Sequence, residues 1–278
     1  MKNFAAVLSL LLVSTWAFSQ NKEKIKGSKT VSVEQKEIGS FNSLEVSDNI
    51  EVYLDRGEKC ELKIEADDNL HDIITIDLNA KTLRINTTKE AANFKKLIVR
   101  VTYNKELKTI TANNEAIINA IQEIQLDDIA FKIHNDASLF ANVNSKNFSL
   151  QSGDNSKTEL NLKSEKAAIE LSKNSTLKAL VTSIELKCDL YQKTKATLEG
   201  EVTNAAIRLD NNAVLTANNL VIKNADLLAE NYSSCDINVN SLLSLDASGN
   251  STIHLYGEQK IETKRFMDNA SLIKKPTK

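Results

Sequence analysis

The sequence predicts an all-β protein: a parallel β-solenoid with about 19-residue coils, preceded by an irregular β cap. Three observations lead to this fold class. Apolar and polar residues alternate along most of the chain, a 19-residue repeat runs through its C-terminal half, and no helix-length amphipathic segment separates the repeats. A constant coil length places like residues above like at about 4.8 Å, which a meander of hairpins does not require.

Each repeat is centred on a turn. Stepping along the chain with this period places amide or carboxylate side chains in one column, which only Lys193 interrupts: Asp136, Asn155, Asn174, Asn212, Asn231, Asn250 and Asn269. Asn and Asp tolerate the left-handed backbone conformation of a sharp bend, and stacked amides can hydrogen-bond from coil to coil. We therefore predict that these seven residues form a structural turn ladder, with no insertion along its length.

Before the repeats, the alternation persists without the 19-residue period. It predicts a cap of strand segments at residues 41–54, 60–66, 81–86 and 96–104. Residues 67–74 predict a turn or a single helical turn, capped by Asp67 or Asp68. Residues 107–120 resemble a first coil, in which Asn114 stacks on Asp136 after a coil three residues longer than the others.

The N-terminus has the pattern of a secretory signal peptide. Lys2 is followed by an apolar run over residues 4–13 and by small residues at Ala17 and Ser19. The run is too short to span a bilayer well, so we expect an exported chain without a transmembrane segment, in the periplasm, on the cell surface or secreted. The expected organisation is a signal peptide (1–19), a polar solvated tail (20–30), the cap (31–113) and the repeats (114–275), with 31–275 forming one domain.

Charge and cysteine content exclude some classes of function. The formal net charge is −2 with acid and base interspersed, so nucleic acid is not an expected partner. The three cysteines are far apart and odd in number, which predicts buried thiols and no disulfide framework. We expect a monomer.

No catalytic constellation is evident in the sequence. His71, His134 and His254 are out of register with one another, whereas a triad or a zinc site needs convergent side chains. The weak metal candidates are Asp67, Asp68 and Asp72, which offer the oxygens that Ca²⁺ prefers. Because no glycine-rich calcium loop accompanies them, a solvated turn is the simpler interpretation, and no cofactor is expected.

Two stretches carry a family resemblance. "FNSLEVSDNIEVYLDRGEKCELKIEADDNLHDIITIDLNAKTLRI" and "LIVRVTYNKELKTITANNEAIINA" resemble the auto-transporter adhesin head domain, or GIN domain, which is frequent in Bacteroidetes. The likeness covers residues 40–260 and implies an exported, β-helix-like protein. Family members often carry Gly-Ser-Gly at their turns, where this chain has mostly Asn followed by a small residue.

Together these features favour a non-enzymatic exported module, adhesin-like or interacting with the cell envelope. Its expected partner is a surface glycan or an envelope protein. Two alternatives stay open at this point. One is a carbohydrate-active β-helix enzyme, lyase-like or hydrolase-like, and the other is a periplasmic structural or sensing protein.

Overall fold

The computed structural model describes residues 22–276 and confirms a β-solenoid with ~19-residue coils, preceded by irregular strands. The predicted signal peptide lies outside the described residues. The described part contains 21 strands and one 3-10 helix, Asp68–Ile73. No helix in this part is long and apolar enough to cross a membrane.

The regular coils are long strands that bend once. In β13, residues 138–145 pair in parallel with 157–164 of the next coil, and residues 147–152 pair with 166–171, leaving Lys146 unpaired at the corner. We call the half that follows a turn the post-turn face, and the half that leads into the next turn the pre-turn face. The long strands are β13 (Ser138–Ser152), β14 (Lys157–Leu171), β15 (Thr176–Leu190), β16 (Lys195–Leu209), β17 (Val214–Ala229) and β18 (Ser234–Ala247).

Alternate side chains of both faces enclose one core. In β14, Leu160 and Leu162 point inward from the post-turn face, and Ala167, Ile169 and Leu171 from the pre-turn face. Each fully buried large aliphatic side chain contributes about 1.5–3 kcal/mol. The polar residues between them face solvent, as the alternation predicts.

Shorter strands flank the long coils on both sides. They are β10 (Thr109–Ala112), β11 (Ile117–Gln125) and β12 (Asp128–Ile133) before them, and β19 (Thr252–Tyr256), β20 (Lys260–Phe266) and β21 (Ser271–Lys274) after them. Thr109 of β10 pairs with Ala130 of β12, two positions beyond the regular period. Asn114 therefore stacks on Asn135, so the predicted longer coil is present but its alignment with Asp136 is wrong.

In the cap, spatial order departs from chain order. The segment predicted at 41–54 holds two strands, β3 (Ser43–Val46) and β4 (Glu51–Arg56), which pair with β10 and β11 on one side. On their other side lie β7 (Thr82–Thr87) and β9 (Leu97–Tyr103), which come later in the chain. Hydrophobic alternation indicates which segments are strands, but not the order in which those strands lie side by side.

Three antiparallel strands close the N-terminal end. β6 (Ile74–Asn79) pairs with β7, β5 (Glu61–Asp67) pairs with β9, and β2 (Val31–Glu37) pairs with β5. The 3-10 helix connects β5 to β6 and matches the predicted helical turn. Asp67 does not cap it, because its carboxylate binds elsewhere.

The residues before β2 form a strap along the cap. β1 (Lys24–Lys26) pairs in parallel with β8 (Glu90–Ala92). Lys22 Nζ lies 2.6 Å from both Asp48 Oδ2 and the Thr87 carbonyl. Most of residues 22–30 are solvent-exposed, as a solvated tail would be, but paired backbone and ion pairs hold them in place.

The coil length is not constant. After a bulge in the pairing of β16 with β17, β17 contains an extra residue. Val214 pairs with Ser234, so this coil exceeds the regular period by one position, whereas Ser234 pairs with Thr252, so the next coil falls short of it by one. The prediction of no insertion is wrong here, although the gain and the loss cancel before Asn250.

Candidate functional site

A groove of about 410 Å³ crosses the outer surface of the post-turn face from β11 to β16. Outward positions are polar in most coils, but Ile121, Phe140 and Leu180 occupy them here and are 68%, 39% and 52% exposed. We call this surface the amide groove. Its lining also includes Asn142, Asn161, Glu159, Lys178, Thr197 and Glu199.

A column of amides forms the floor of the amide groove. Asn142 Nδ2 donates to the Ile121 carbonyl at 2.7 Å, and Asn161 Nδ2 donates to Asn142 Oδ1 at 2.8 Å. Leu180 pairs with Asn161 in the next coil. Each Asn keeps a second N–H, and Asn161 Oδ1 accepts no hydrogen bond from a described residue. The floor therefore offers fixed donors and an acceptor between two apolar side chains.

The groove continues into a neighbouring hollow of about 350 Å³. The two share Ile121, Asn142, Asn161 and Leu180, and the hollow adds Glu123, Lys163 and Thr182. The combined surface runs across several coils, so it suits an extended ligand better than a compact one.

Aromatic side chains lie in the column beside the amides. Phe140 pairs with Asn119, and Asn119 pairs with Tyr53, so the two rings are two coils apart, about 10 Å. The Arg100 guanidinium lies 4.8 Å from the centre of the Tyr53 ring. A hydrogen bond to the Glu51 carboxylate raises the pKa of Tyr53, with burial adding to the effect. The phenol therefore stays protonated.

The charges of the amide groove are few and mixed. Glu159, Lys178 and Glu199 line it, and none of them forms an ion pair within the part of the chain that the structure describes. Two carboxylates against one ammonium leave a small excess of negative charge. The groove therefore favours a neutral ligand over a polyanion.

A wider trough of about 740 Å³ lies on the pre-turn face. Ala168 and Ala206 are among the residues that line it, and Asn224 Nδ2 donates to Asn204 Oδ1 there at 3.0 Å. Among its lining residues only Phe148 is aromatic, and that side chain is buried. We therefore place the candidate site in the amide groove.

The predicted turn column occupies left-handed turns in part of its length. Asp136, Asn155, Asn174 and Asn212 have φ of 61–63°, and each follows another left-handed residue. Backbone bonds connect successive turns, such as Asn155 N to the Lys173 carbonyl at 3.0 Å. Lys193 makes the same bond, so it interrupts only the amide column.

Amide contacts along the column are sparse. Asn174 Nδ2 lies 3.4 Å from Asn155 Oδ1, and Asn269 Nδ2 lies 3.0 Å from Asn250 Oδ1. In the turns of Asn250 and Asn269, the left-handed residue is the one before the asparagine, Gly249 or Asp268. Backbone bonds therefore connect more of the turns than side-chain amides do.

Asn231 lies outside the column in which the 19-residue step places it. The extra residue in β17 moves it to the first turn position, where its carbonyl accepts from Asn212 N and its Nδ2 donates to Asp210 Oδ1 at 2.8 Å. Tyr232 occupies the column instead. The buried Ser233 follows Tyr232, so the residue after the turn is small in this coil as in the others.

The three metal candidates do not converge. Both Asp67 oxygens accept backbone N–H groups, from Lys29 at 2.8 Å and from Lys95 and Lys96 at 3.0–3.1 Å. Asp68 Oδ1 accepts from the Ser28 hydroxyl and from Asn69 N, and Asp72 is exposed. The described residues contain no group of three or more His, Cys, Asp or Glu that could hold a metal ion.

The histidines and cysteines are also dispersed. His254 Nδ1 lies 2.7 Å from Asp236 Oδ1 at the C-terminal end, far along the solenoid from His71 in the cap. The three cysteines of the described chain are free and buried. Burial, together with Asp189, raises the pKa of Cys188 to about 12, so that its thiol is unreactive.

Sequence reasoning missed the amide groove. The available signal was the occurrence of Ile121, Phe140 and Leu180 at positions where other coils carry polar residues. Recognising it requires the pairing register, since Ile121 lies in an irregular segment where β11 and β13 lose their alignment.

The fold and the groove define a repeat-built β-solenoid that carries its candidate site on outward side chains. The chain belongs to the family described as "Putative auto-transporter adhesin, head GIN domain", which matches residues 40–258 and confirms the resemblance. None of the curated proteins matches it.

Three solved structures share the fold over 91% of this chain. A "putative adhesin" from Parabacteroides merdae has a TM-score of 0.64 at 17% identity, with 99% of that chain covered. A "putative adhesin" from Parabacteroides distasonis has 0.68 at 13%, with 100% covered. A "Putative lipid binding protein" from Parabacteroides distasonis has 0.64 at 16%, with 99% covered. At these identities the likeness shows the fold alone.

Proposed function

We propose that this protein is an exported, non-enzymatic, adhesin-like module that binds a neutral surface carbohydrate along the amide groove. The observation that carries the proposal is the bonded amide column between exposed Ile121 and Leu180, beside the Phe140 ring. Family membership supports an adhesin-like role, and the signal-peptide pattern supports export.

The chemistry of the groove matches that of a sugar chain. A pyranose has apolar C–H faces, which pack on aromatic and aliphatic side chains, and hydroxyl groups, which need donors and acceptors. The bond from Asn161 to Asn142 fixes both amides before any ligand arrives, so little side-chain entropy is lost on binding. The long shape suits several sugar units along the solenoid.

A binding screen of the exported chain tests this function. Neutral polysaccharides, amino-sugar and acidic polysaccharides, matrix proteins and envelope extracts are offered to the immobilised protein. We expect saturable binding to a neutral polysaccharide, with no new reducing ends released. Release of reducing ends would identify an enzyme instead. Binding to envelope protein alone would favour the structural or sensing role, and the absence of any saturable partner would contradict adhesion.

A further inference from the structure

The last coil leaves the core open at the C-terminal end. Ile261 and Phe266 pair with Leu243 and Ala247 of the preceding coil, which are fully buried, yet they are 41% and 45% exposed themselves. Within the described chain, β20 pairs only with β18 and β21 only with β19, so each is paired along one edge. This end therefore presents apolar side chains beside unpaired backbone groups.

The same end is rich in basic residues. β20, β21 and the residues around them carry Lys260, Lys264, Arg265, Lys274 and Lys275 against Glu258, Glu262 and Asp268. Lys260, Lys264 and Arg265 pair with Glu262, Asp226 and Asp246, so the excess of positive charge lies on Lys274 and Lys275. The Lys274 ammonium contacts the Gly257 carbonyl and lies 3.4 Å from Gln259 Oε1, so its stem folds back over the preceding coil. Lysines on an edge discourage indiscriminate strand pairing, but they favour a partner of opposite charge.

The N-terminal end has the complementary character. Its outer strands β2 and β6 are also paired along one edge only, and they expose Val33 and Leu78. Together with the 3-10 helix they carry acidic residues against a single lysine, Lys36: Glu34, Glu37, Asp68, Asp72 and Asp77. Each end thus combines apolar side chains and a free sheet edge with an excess of one sign of charge.

Strand directions allow the two ends to meet. β2 is antiparallel to β5, which is antiparallel to β9, so β2 runs in the same direction as the post-turn strands, β21 included. β6 is antiparallel to β7 and therefore to β20. With two copies end to end, β2 of one copy would thus pair in parallel with β21 of the other, and β6 would pair antiparallel with β20.

We propose that the basic C-terminal end of one copy docks on the acidic N-terminal end of a second copy, head to tail. Such a contact joins two different surfaces, so it propagates into a chain or closes into a ring. This differs from the monomer expected from the sequence, and it does not depend on carbohydrate binding.

Sedimentation velocity of the exported chain, over a range of concentrations and salt, tests the proposal with two variants that change the charge of one end. One changes the N-terminal end (Glu37→Lys with Asp72→Lys) and the other changes the C-terminal end (Met267→Glu with Lys275→Glu). These four side chains make no ion pair within the described chain and lie outside the core. Circular dichroism and melting temperature establish that both variants fold like the wild type.

We expect the wild type to form species larger than a monomer at low salt, which high salt dissociates. Each variant alone should be monomeric, and a mixture of the two should associate again. A wild type that is monomeric at every concentration would overturn the proposal, as would a mixture that fails to associate. Association lost in only one variant would indicate a symmetric contact between like ends, and association kept in both would indicate another surface.

Discussion

At the scale of single residues, the left-handed turn residues determine where each coil bends. Both central residues of the regular turns have positive φ, as Asn211 and Asn212 do at 53° and 63°. A β-branched or bulky side chain is strained there, whereas Asn and Gly are not. The repetition of Asn followed by a small residue is thus chiefly a backbone requirement.

Replacement of Asn212 measures this requirement. We expect Asn212→Leu to lower the free energy of unfolding by about 1–2 kcal/mol, because leucine tolerates the left-handed conformation poorly. Asn212→Gly, the matched control, should be within about 0.5 kcal/mol of the wild type. The measurement is denaturant unfolding followed by circular dichroism. Equal losses in both variants would show that side-chain amide contacts dominate at this turn.

Glu65 gives the cap a dependence on pH. Lys96 Nζ and Lys63 Nζ lie 2.9 and 3.1 Å from its carboxylate, and they lower its pKa to about 2. A lowered pKa stabilises the fold above the unfolded value, near 4.5, and this contribution disappears as pH falls toward 2.

We therefore expect unfolding experiments to show wild-type stability falling more steeply between about pH 5 and pH 2 than that of Glu65→Gln. The difference in unfolding free energy should reach at most about 3 kcal/mol. The exposed Glu61→Gln serves as control and should follow the wild type. Parallel acid profiles for wild type and Glu65→Gln would refute the assignment.

At the scale of elements, one buried carboxylate joins the strap to the cap. Burial alone would raise the pKa of Asp67, but backbone donors from Lys96, Lys29 and Lys95 outweigh it and lower the pKa. A Cβ on Gly27 would collide with Asp67 Oδ2 and with Phe94, so glycine is needed where the strap crosses. A buried carboxylate thus holds the strap against the cap, which the polar sequence of the strap does not indicate.

Loss of this carboxylate should release the strap. Asp67→Asn replaces an acceptor oxygen with an NH₂ group facing backbone donors, and we expect a loss of about 2–3 kcal/mol in the free energy of unfolding. Trypsin should also cleave within residues 22–30 faster than in the wild type. Asp72→Asn, at an exposed position without a hydrogen bond to the strap, is the control. Unchanged cleavage in Asp67→Asn would show that the strap is held by strand pairing alone.

At the scale of the whole molecule, the sequence predicts the coils and their turns but not their complete register. Alternation with a 19-residue period specifies inward and outward columns, because side chains of a strand alternate by face. It cannot detect that the coil of β17 is one residue longer and the coil of β18 one residue shorter than the period, since Asn231 happens to fall on the 19-residue step. The swapped order of the cap and the docking of the strap also escape it, because both depend on contacts distant in the chain.

The amide groove escapes the sequence for the same reason. Ile121, Phe140 and Leu180 are far apart in the chain, and only the stacking of coils brings them to one surface. Single apolar residues on a surface need no explanation, whereas three around a bonded amide column do.

The most direct test of this account is a calorimetric titration with the neutral polysaccharide that binds most tightly in the screen. Wild type is compared with Phe140→Ser combined with Leu180→Ser, and with Ile184→Ser, which removes an exposed apolar side chain of the same solenoid outside the amide groove. We predict at least about tenfold weaker binding for the groove variant, roughly 1.4 kcal/mol, and a change below about twofold for the control. Equal affinities for the wild type and the groove variant would contradict it.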